Sequence, residues 1–349
     1  MMTRVGVVTS YATSLKVVGN TIVRTLKKLG HEAQFFTYRV PCFEAQKLFD
    51  RSIIVIPFDP TYLPAWVLLQ RDYVIHRIPS VTYVTVEGRP KPNLIPDWVR
   101  RDGAFVANSN YTAKMLSDVD VDVVDVIHHG LDLDEFKDVT PHKEEIKAKL
   151  KCNVLMGTVA SGLKRKGLDV LSDVAASISE TIPDLKFYVL TTPEGALRLR
   201  GIKNVVVDPN FGKYSRRHVL ELIASFDFYL CTSYAEGFCL PVLEAQALGV
   251  PVIYPQYDPL IEVTDPEANF PVPVVDEKFV DDGFGILIHY HIYDVGKMVE
   301  MIEKAYEIVT TSPEEYEKLR NRVWEFATNF DALKLYSKFF NSWEGSNAK

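Results

Sequence analysis

The stretch Ser225–Tyr254, SFDFYLCTSYAEGFCLPVLEAQALGVPVIY, admits few folds. Phe226–Cys231 is a short apolar, aromatic-rich run with the length of a buried strand. Thr232–Gly237 is small and polar and reads as a loop. Pro241 stands where a first helical residue belongs and Gly249 just past the last, so a short helix lies between them. Val250–Tyr254 is apolar again. Strand, loop, short buried helix and strand in this order predict a βαβ unit and a parallel α/β sheet.

Two carboxylates sit in that buried setting. Glu236 closes the loop and Glu244 lies in the first turns of the helix, with seven residues between them. Gly237 and Phe238 fall at the helix start, where backbone N–H groups favour an anion. The segment thus offers a carboxylate for hydroxyl groups, donors for a phosphate, and a second carboxylate further in. A ligand with sugar hydroxyls at both ends and phosphate between them, a nucleotide sugar, has the matching shape. The other reading is a buried helix with one ion-paired Glu, which needs neither Glu-Gly-Phe nor the second Glu.

EGFCLPVLEAQALGVPVI resembles the E-x7-E signature of retaining glycosyltransferases of family 4, usually EGFGLPVLEAMACGVPVI. It departs mainly at Cys239, where Gly is usual. The resemblance implies the GT-B fold: α/β, two Rossmann-like domains facing a cleft, and a C-terminal helix crossing back to the N-domain. On this reading residues 1–145 form the acceptor-side domain, 146–325 the nucleotide-sugar domain and 326–349 the returning helix.

The 349 residues are 47% hydrophobic and 24% charged, as in a globular chain long enough for two domains. A net charge of −7 leaves no basic field for nucleic acid. Apolar runs such as Ile53–Phe58 are far short of a membrane span, and no signal peptide is expected. Cys42, Cys152, Cys231 and Cys239 lack C-x-x-C spacing, so buried free thiols in a reducing, cytoplasmic setting are the expectation.

Val5–Thr9 reads as a strand, followed by the loop Ser10–Ser14 and a helix with Val18, Ile22, Leu26 and Leu29 on one face. Gly30 ends it and HEAQFFTY begins the next strand. A doubly wound domain opens in this way, and in the resembled family a glycine near Gly19 belongs to a loop facing the cleft. No G-x-G-x-x-G is present. Ile53–Pro57, Val81–Val86 and Ala104–Ala107 read as further parallel strands. The second ends at Glu87-Gly88, where the family commonly has a His that contacts the donor sugar. Glu87 is either its replacement or a solvated turn residue; His76 reads as structural.

AFVANSNYTAKMLSDVDVDVVDVIHHGLDLDEF resembles the end of the family's N-domain. Val119–Ile127 reads as an alternating strand with Asp120 and Asp122 toward water, followed by the turn Gly130–Asp132 and Phe136. Asp132-Leu133-Asp134 is formally a D-x-D metal motif, but the turn pattern fits it better. Adjacent His128 and His129 point to opposite faces and make a poor chelate. Charged Lys137–Lys151, broken by Pro141, is the linker candidate.

Asn153–Ala160 reads as a strand, SGLKRKG (161–167) as a loop, and Leu168 opens a helix. In the family this loop holds an early basic residue and a Lys before the Gly, and together they neutralise the donor diphosphate. Lys166 matches the second; the first position falls at Ala160 or Ser161 and lacks its usual Arg, leaving Lys164 or Arg165 as substitute. Such charge is needed because burying an unpaired dianion is costly. Leu185–Leu190 and Val205–Val207 read as strands, and the loop to Gly212 corresponds to the family's nucleobase site. Pro255–Glu262 reads as a polar loop and Pro266–Asp282 as an insertion or irregular loop. Ser312–Glu315 reads as a capping box with Pro313 first in the helix, and Tyr316–Trp343 as helical.

The expected function is retaining transfer of a sugar from a nucleotide diphosphate sugar to a glycan, lipid or small-molecule acceptor, without metal or further cofactor. The resemblance makes Glu236, Lys166 and Glu87 the catalytic candidates. It makes Lys164, Arg165, Gly237, Phe238, Cys239, Leu240 and Glu244 the donor-binding ones. Glu244 would take the ribose hydroxyls, the basic loop and the turn at Gly237–Phe238 the diphosphate, and Glu236 the sugar hydroxyls. The departing phosphate would deprotonate the acceptor on the same face, so that catalysis is positioning and charge stabilisation. A catalytically inactive nucleotide-sugar-binding protein and a nucleotide-sugar epimerase are the alternatives. Apolar Phe58–Leu69 is a candidate for peripheral docking on a membrane that carries a lipid-linked acceptor, with core packing as its other reading.

Overall fold

The computed structural model describes residues 2–10 and 12–346. The chain divides into two compact units. The first is Met1–Asp132 with Phe279–His289 and Phe330–Lys349; the second is Leu133–Lys278 with Tyr290–Asn329. The change of unit therefore follows Asp132 rather than residue 145, the segment 279–289 joins the first unit, and the return begins at Phe330.

The first unit opens with β1 (Arg4–Thr9), α1 (Thr13–Lys28), β2 (Glu32–Phe36), α2 (Cys42–Leu48), β3 (Arg51–Pro57), α3 (Leu63–Ile75) and β4 (Ser80–Thr85). It continues through β5 (Gly88–Pro90), α4 (Asp97–Asp102), β6 (Phe105–Ala107), α5 (Asn110–Ser117) and β7 (Val123–Val126). Six strands form one parallel sheet in the order β2-β1-β3-β4-β6-β7. Strands covered by helices on both faces need continuous apolar runs, and 5–8 and 53–56 are buried throughout. Ile54, Ile56, Val67, Tyr73, Val84 and Phe105 belong to the core between sheet and helices.

Several local expectations change here. Gly19 is not a loop residue: it lies inside α1, where the Phe35 ring passes so close that a Cβ would sit 2.3 Å from it. Leu29, expected on the buried face, is 37% exposed because α1 stops at Lys28. The strand expected over Val119–Ile127 is reduced to β7, because Asp120 turns through φ +57°. The D-x-D carboxylates have separate cationic partners, Arg24 (3.1 Å) and Lys28 for buried Asp132, and Lys137 (2.6 Å) for Asp134. His129 is buried between the Tyr83 hydroxyl (2.8 Å) and Asn108 Nδ2 (3.1 Å). Burial, helped by nearby His128, lowers its pKa to about 3, so it is neutral at ordinary pH. In the apolar stretch 58–69, Phe58, Leu63 and Val67 are core residues, whereas Tyr62 and Leu68 are exposed. Among the described residues no helix is long and apolar enough to cross a membrane.

The second unit runs α6 (Lys143–Leu150), β8 (Val154–Val159), α7 (Leu168–Ile178), β9 (Leu185–Leu190), α8 (Pro193–Arg198), β10 (Val205–Asp208) and α9 (Arg216–Ala224). It continues with β11 (Phe228–Leu230), α10 (Leu240–Ala247), β12 (Val252–Pro255) and β13 (Phe270–Val272). β14 (Val274–Asp281) and β15 (Ile286–Tyr293), whose residues 279–281 and 286–289 belong to the first unit, follow, then α11 (Val295–Thr311) and α12 (Pro313–Thr328). The expected linker thus contains helix α6. The sheet order is β10-β9-β8-β11-β12-β13, parallel throughout. Counted from β8 this is 3-2-1-4-5-6, which places a topological switch point between β8 and β11. Both units are Rossmann-like, and the fold is α/β with parallel sheets.

The segment read as irregular, Pro266–Asp282, is instead largely strand. β14 and β15 lie beside β5 in a small sheet, with β15 and β5 antiparallel, Leu287 opposite Arg89. Gly88 is required there, since a Cβ would lie 2.1 Å from the Leu287 carbonyl oxygen. The expected terminal helix is broken: α12 ends at Thr328, Asp331 caps α13 (Ala332–Tyr336), and α14 (Phe339–Ser346) follows. Pro313 does open α12, but Ser312 makes no side-chain cap, so the capping box is not formed. Trp343 is buried in the first unit and its indole N–H donates to the Ser52 carbonyl at 2.9 Å.

Candidate functional site

β8 and β11 are parallel neighbours, so their C-terminal ends release two loops, 160–167 and 231–239, on one edge of the sheet. In open α/β sheets this edge, at a switch point, is where ligands bind. Gly167 has φ +64°, and a Cβ there would lie 1.9 Å from the Thr232 carbonyl oxygen. Only glycine lets the loops approach so closely. The Thr232 hydroxyl donates to the Lys166 carbonyl at 3.0 Å, and the Tyr234 amide to the Arg165 carbonyl at 2.8 Å.

The laced backbones aim two cations at one carboxylate. Lys166 Nζ is 2.6 Å from Glu236 Oε1, and Arg165 Nη1 is 3.3 Å from Oε2 and 3.0 Å from the Ala235 carbonyl. Glu236 is 5% exposed. Burial alone would raise its pKa, but the charges of Lys166 and Arg165, with hydrogen bonds from Lys166 and Ser233, outweigh it and hold the carboxyl at about 2. Two cations against one carboxylate leave the trio with one positive charge.

This arrangement fixes a pH dependence. The folded-state value lies below the ordinary 4.5, so the stabilisation is complete above about pH 4.5 and is lost as the pH falls toward 2. The unfolding free energy of wild type minus that of Glu236→Gln, measured with urea, therefore grows between those limits and is flat above them. A difference independent of pH would show that the carboxylate is not held in this way.

The loop 231–239 is also fastened from below. Tyr257 donates its hydroxyl to the Ser233 carbonyl at 2.8 Å and stacks on His291, centroids 3.9 Å apart. The His291 amide donates to the Tyr234 carbonyl at 2.9 Å. Neither residue carries a motif: Tyr257 lies in the polar loop after β12, and His291 lies on β15, whose pairing with β5 joins segments distant in sequence.

Gly237 and Phe238 are buried in the turn that leads to α10, with Leu240 as the helix's first residue. Cys239 precedes it at φ +71°, a conformation that suits glycine, and this accounts for the Gly in the resembled pattern. Cys239→Gly relieves this strain at the loss of a small side chain. Cys239→Val is expected to destabilise by about 1–3 kcal/mol more than Cys239→Gly, because a β-branched residue resists positive φ. Paired thermal unfolding measurements check the order, and equal stability of the two variants would refute it.

Glu244 is buried in α10, and its Oε1 meets Arg216 Nη1 at 2.7 Å. Arg216 also lies 3.6 Å from Glu135. Burial alone would lower the pKa of this guanidinium, but Glu244 and Glu135 reverse that and raise it. Arg216 carries no motif; it is placed by α9, which Ser215 caps through the His218 amide at 3.2 Å. Two candidates remain. Lys164 is exposed on the same turn as Lys166. Glu87 is half-buried beyond β4 in the first unit, where its carbonyl accepts from the His289 amide at 3.1 Å.

Comparison with known proteins bears on this region. Residues 141–280, which include both loops and α10, match the family model for glycosyl transferases group 1. Over 347 residues the chain is 24% identical to the uncharacterized glycosyltransferase 335 of Sulfolobus islandicus rod-shaped virus 1, covering 96% of this chain and 99% of that one. A solved glycosyltransferase from Rickettsia africae ESF-5 is similar at TM-score 0.72 and 16% identity, covering 99% and 98% of the two chains. Anabaena Alr3699/HepE, solved in complex with UDP and glucose, is similar at TM-score 0.65 and 13% identity, covering 98% and 100%. The fold is thus that of GT-B glycosyltransferases, and the homology supports sugar transfer as the class of reaction.

Proposed function

We propose that this homologue of glycosyltransferases moves a sugar, with retention of configuration, from a nucleotide diphosphate sugar to a glycan, lipid or small-molecule acceptor. The observation that carries the proposal is the Lys166–Glu236–Arg165 trio at the switch point, with Glu244 in the helix that follows the loop. Lys166 and Arg165 bind the diphosphate, whose negative charge the net positive trio attracts. Glu236, kept ionised by the same cations, accepts hydrogen bonds from sugar hydroxyls and orients the anomeric carbon. Glu244 accepts the ribose hydroxyls and shares its carboxylate with Arg216. Glu87 remains a candidate for a further sugar contact, at the C-terminal end of a parallel strand as such contacts require.

In the transfer step the bond from the anomeric carbon to the phosphate oxygen breaks. The acceptor oxygen bonds to that carbon on the same face, and the departing phosphate oxygen takes the acceptor proton. Charge develops on the leaving diphosphate, where Lys166 and Arg165 are already in place, so stabilisation requires little reorganisation. The D-x-D carboxylates of Asp132 and Asp134 are ion-paired, and the residues given roles here need no metal.

Thermal shift across uridine, guanosine and adenosine diphosphate sugars identifies the donor, because a ligand of the native state raises the melting temperature. Proton NMR of the first product formed then gives its anomeric configuration. Retention is the expected result, and inversion excludes the mechanism. Binding with no turnover over several acceptors would favour an inactive binding protein, and conversion of donor without acceptor an epimerase.

A further inference from the structure

Outside this site, three side chains with metal-ligating atoms converge in the first unit. Cys42 opens α2 directly after Pro41, and its side chain is buried. Asp72 and His76 lie four residues apart at the C-terminal end of α3, a spacing that puts them on one face. His76 Nδ1 is 2.8 Å from the Asp72 carbonyl oxygen and 3.4 Å from Asp72 Oδ1. Cys42 Sγ is 3.8 Å from the same carbonyl oxygen. The Cys42 sulfur, an Asp72 carboxylate oxygen and a His76 ring nitrogen all lie within 4.8 Å of one another.

Bond lengths of about 2.0–2.3 Å to nitrogen, oxygen and sulfur in a tetrahedral site separate neighbouring ligands by roughly 3.3–3.8 Å. The three groups therefore need only modest side-chain rotation to surround one ion. Thiolate, imidazole and carboxylate together suit zinc and its neighbours in the transition series. Magnesium and calcium prefer oxygen alone. The Asp72 and His76 side chains are 48% and 44% exposed, so an ion can enter from solvent and keep a water as fourth ligand.

We propose that Cys42, Asp72 and His76 bind one divalent cation of the zinc class, which fastens α2 to the end of α3. On binding, the Cys42 thiol releases its proton to solvent and its sulfur bonds to the metal; no oxidant or reductant is involved. The seven residues of α2 are too few for a helix to be stable on its own, so an external tie is of use there. The site is independent of the sugar-transfer reading, since none of its residues has a role in that reaction.

The test uses the full chain, stripped of metal with a chelator and titrated with Co2+. A thiolate-to-cobalt charge-transfer absorption that saturates at one equivalent and is displaced by Zn2+ is expected; its absence overturns the proposal. Cys42→Ser should abolish the absorption in protein still folded by circular dichroism. Persistence of the band would place the ion on another cysteine, which also overturns it. His76→Gln spares the buried thiol and should weaken Zn2+ binding at least about tenfold. Zn2+ should raise the melting temperature of wild type but not of His76→Gln at the same concentration. Equal zinc affinity and equal thermal shifts in the two proteins would remove His76 from the site and the proposal with it.

Discussion

Lys166→Ala is expected to lower the rate of sugar transfer by about 10²- to 10³-fold, the usual consequence of removing one preorganised group from developing charge. Lys166 is the nearer of the two cations to Glu236, at 2.6 Å against 3.3 Å for Arg165. Without it, Arg165 and Glu236 cancel, and a departing diphosphate finds no uncompensated positive charge. Folding should survive, because Glu236 keeps Arg165 and Lys166 lies on a partly exposed loop. Lys166→Arg separates charge from shape: it restores the cation but not the compact ammonium, so it should recover part of the rate. Initial rates at saturating donor decide the matter, and a Lys166→Ala rate within threefold of wild type would remove Lys166 from the mechanism.

Glu244→Gln is expected to weaken nucleoside diphosphate binding by about 10- to 100-fold, since hydrogen bonds to a charged acceptor contribute about 1.5–3 kcal/mol. Gln is the better substitution than Ala. Glu244 is buried against Arg216, and cutting it away leaves a guanidinium whose remaining carboxylate, on Glu135, is 3.6 Å distant. Truncating one partner of a buried pair costs about 3–5 kcal/mol, so a loss of binding in Glu244→Ala could arise from damaged folding. Titration calorimetry with a ribose nucleotide and its 2′,3′-dideoxy analogue gives the sharper reading. Wild type should prefer the ribose form, and Glu244→Gln should lose that preference. A variant that still discriminates would mean that the hydroxyls are held elsewhere.

Much of the second unit was legible because its signals are local. Pro241 and Gly249 mark the ends of α10, and Lys166 and Gly167 mark the turn into α7, so spacing alone places the basic loop and the carboxylates near two strand ends. That those ends are adjacent follows from β8 pairing with β11, a contact between distant segments. The features without a local signal depend on such contacts. Arg216 reaches Glu244 from a separate helix, and Tyr257 and His291 support the loop from segments without a motif. β14 and β15 were hidden because acidic and proline residues mask the alternation VVDEKFVD and ILIHYHIY, and because β15 finds its partner β5 far back in the chain. Gly19 was misplaced for a related reason: its need for smallness comes from the Phe35 ring on β2, not from a turn. The break at Asn329–Asp331 follows from the Asp331 cap, a signal overridden by the apolar periodicity on either side of it.

The central placement is tested most directly by a crystal structure of the chain with the nucleoside diphosphate that thermal shift selects. The account predicts a phosphate oxygen within hydrogen-bonding distance of Lys166 Nζ and the ribose hydroxyls on the Glu244 carboxylate. A diphosphate seated away from both, with Lys166 and Arg165 still closed on Glu236, would contradict it.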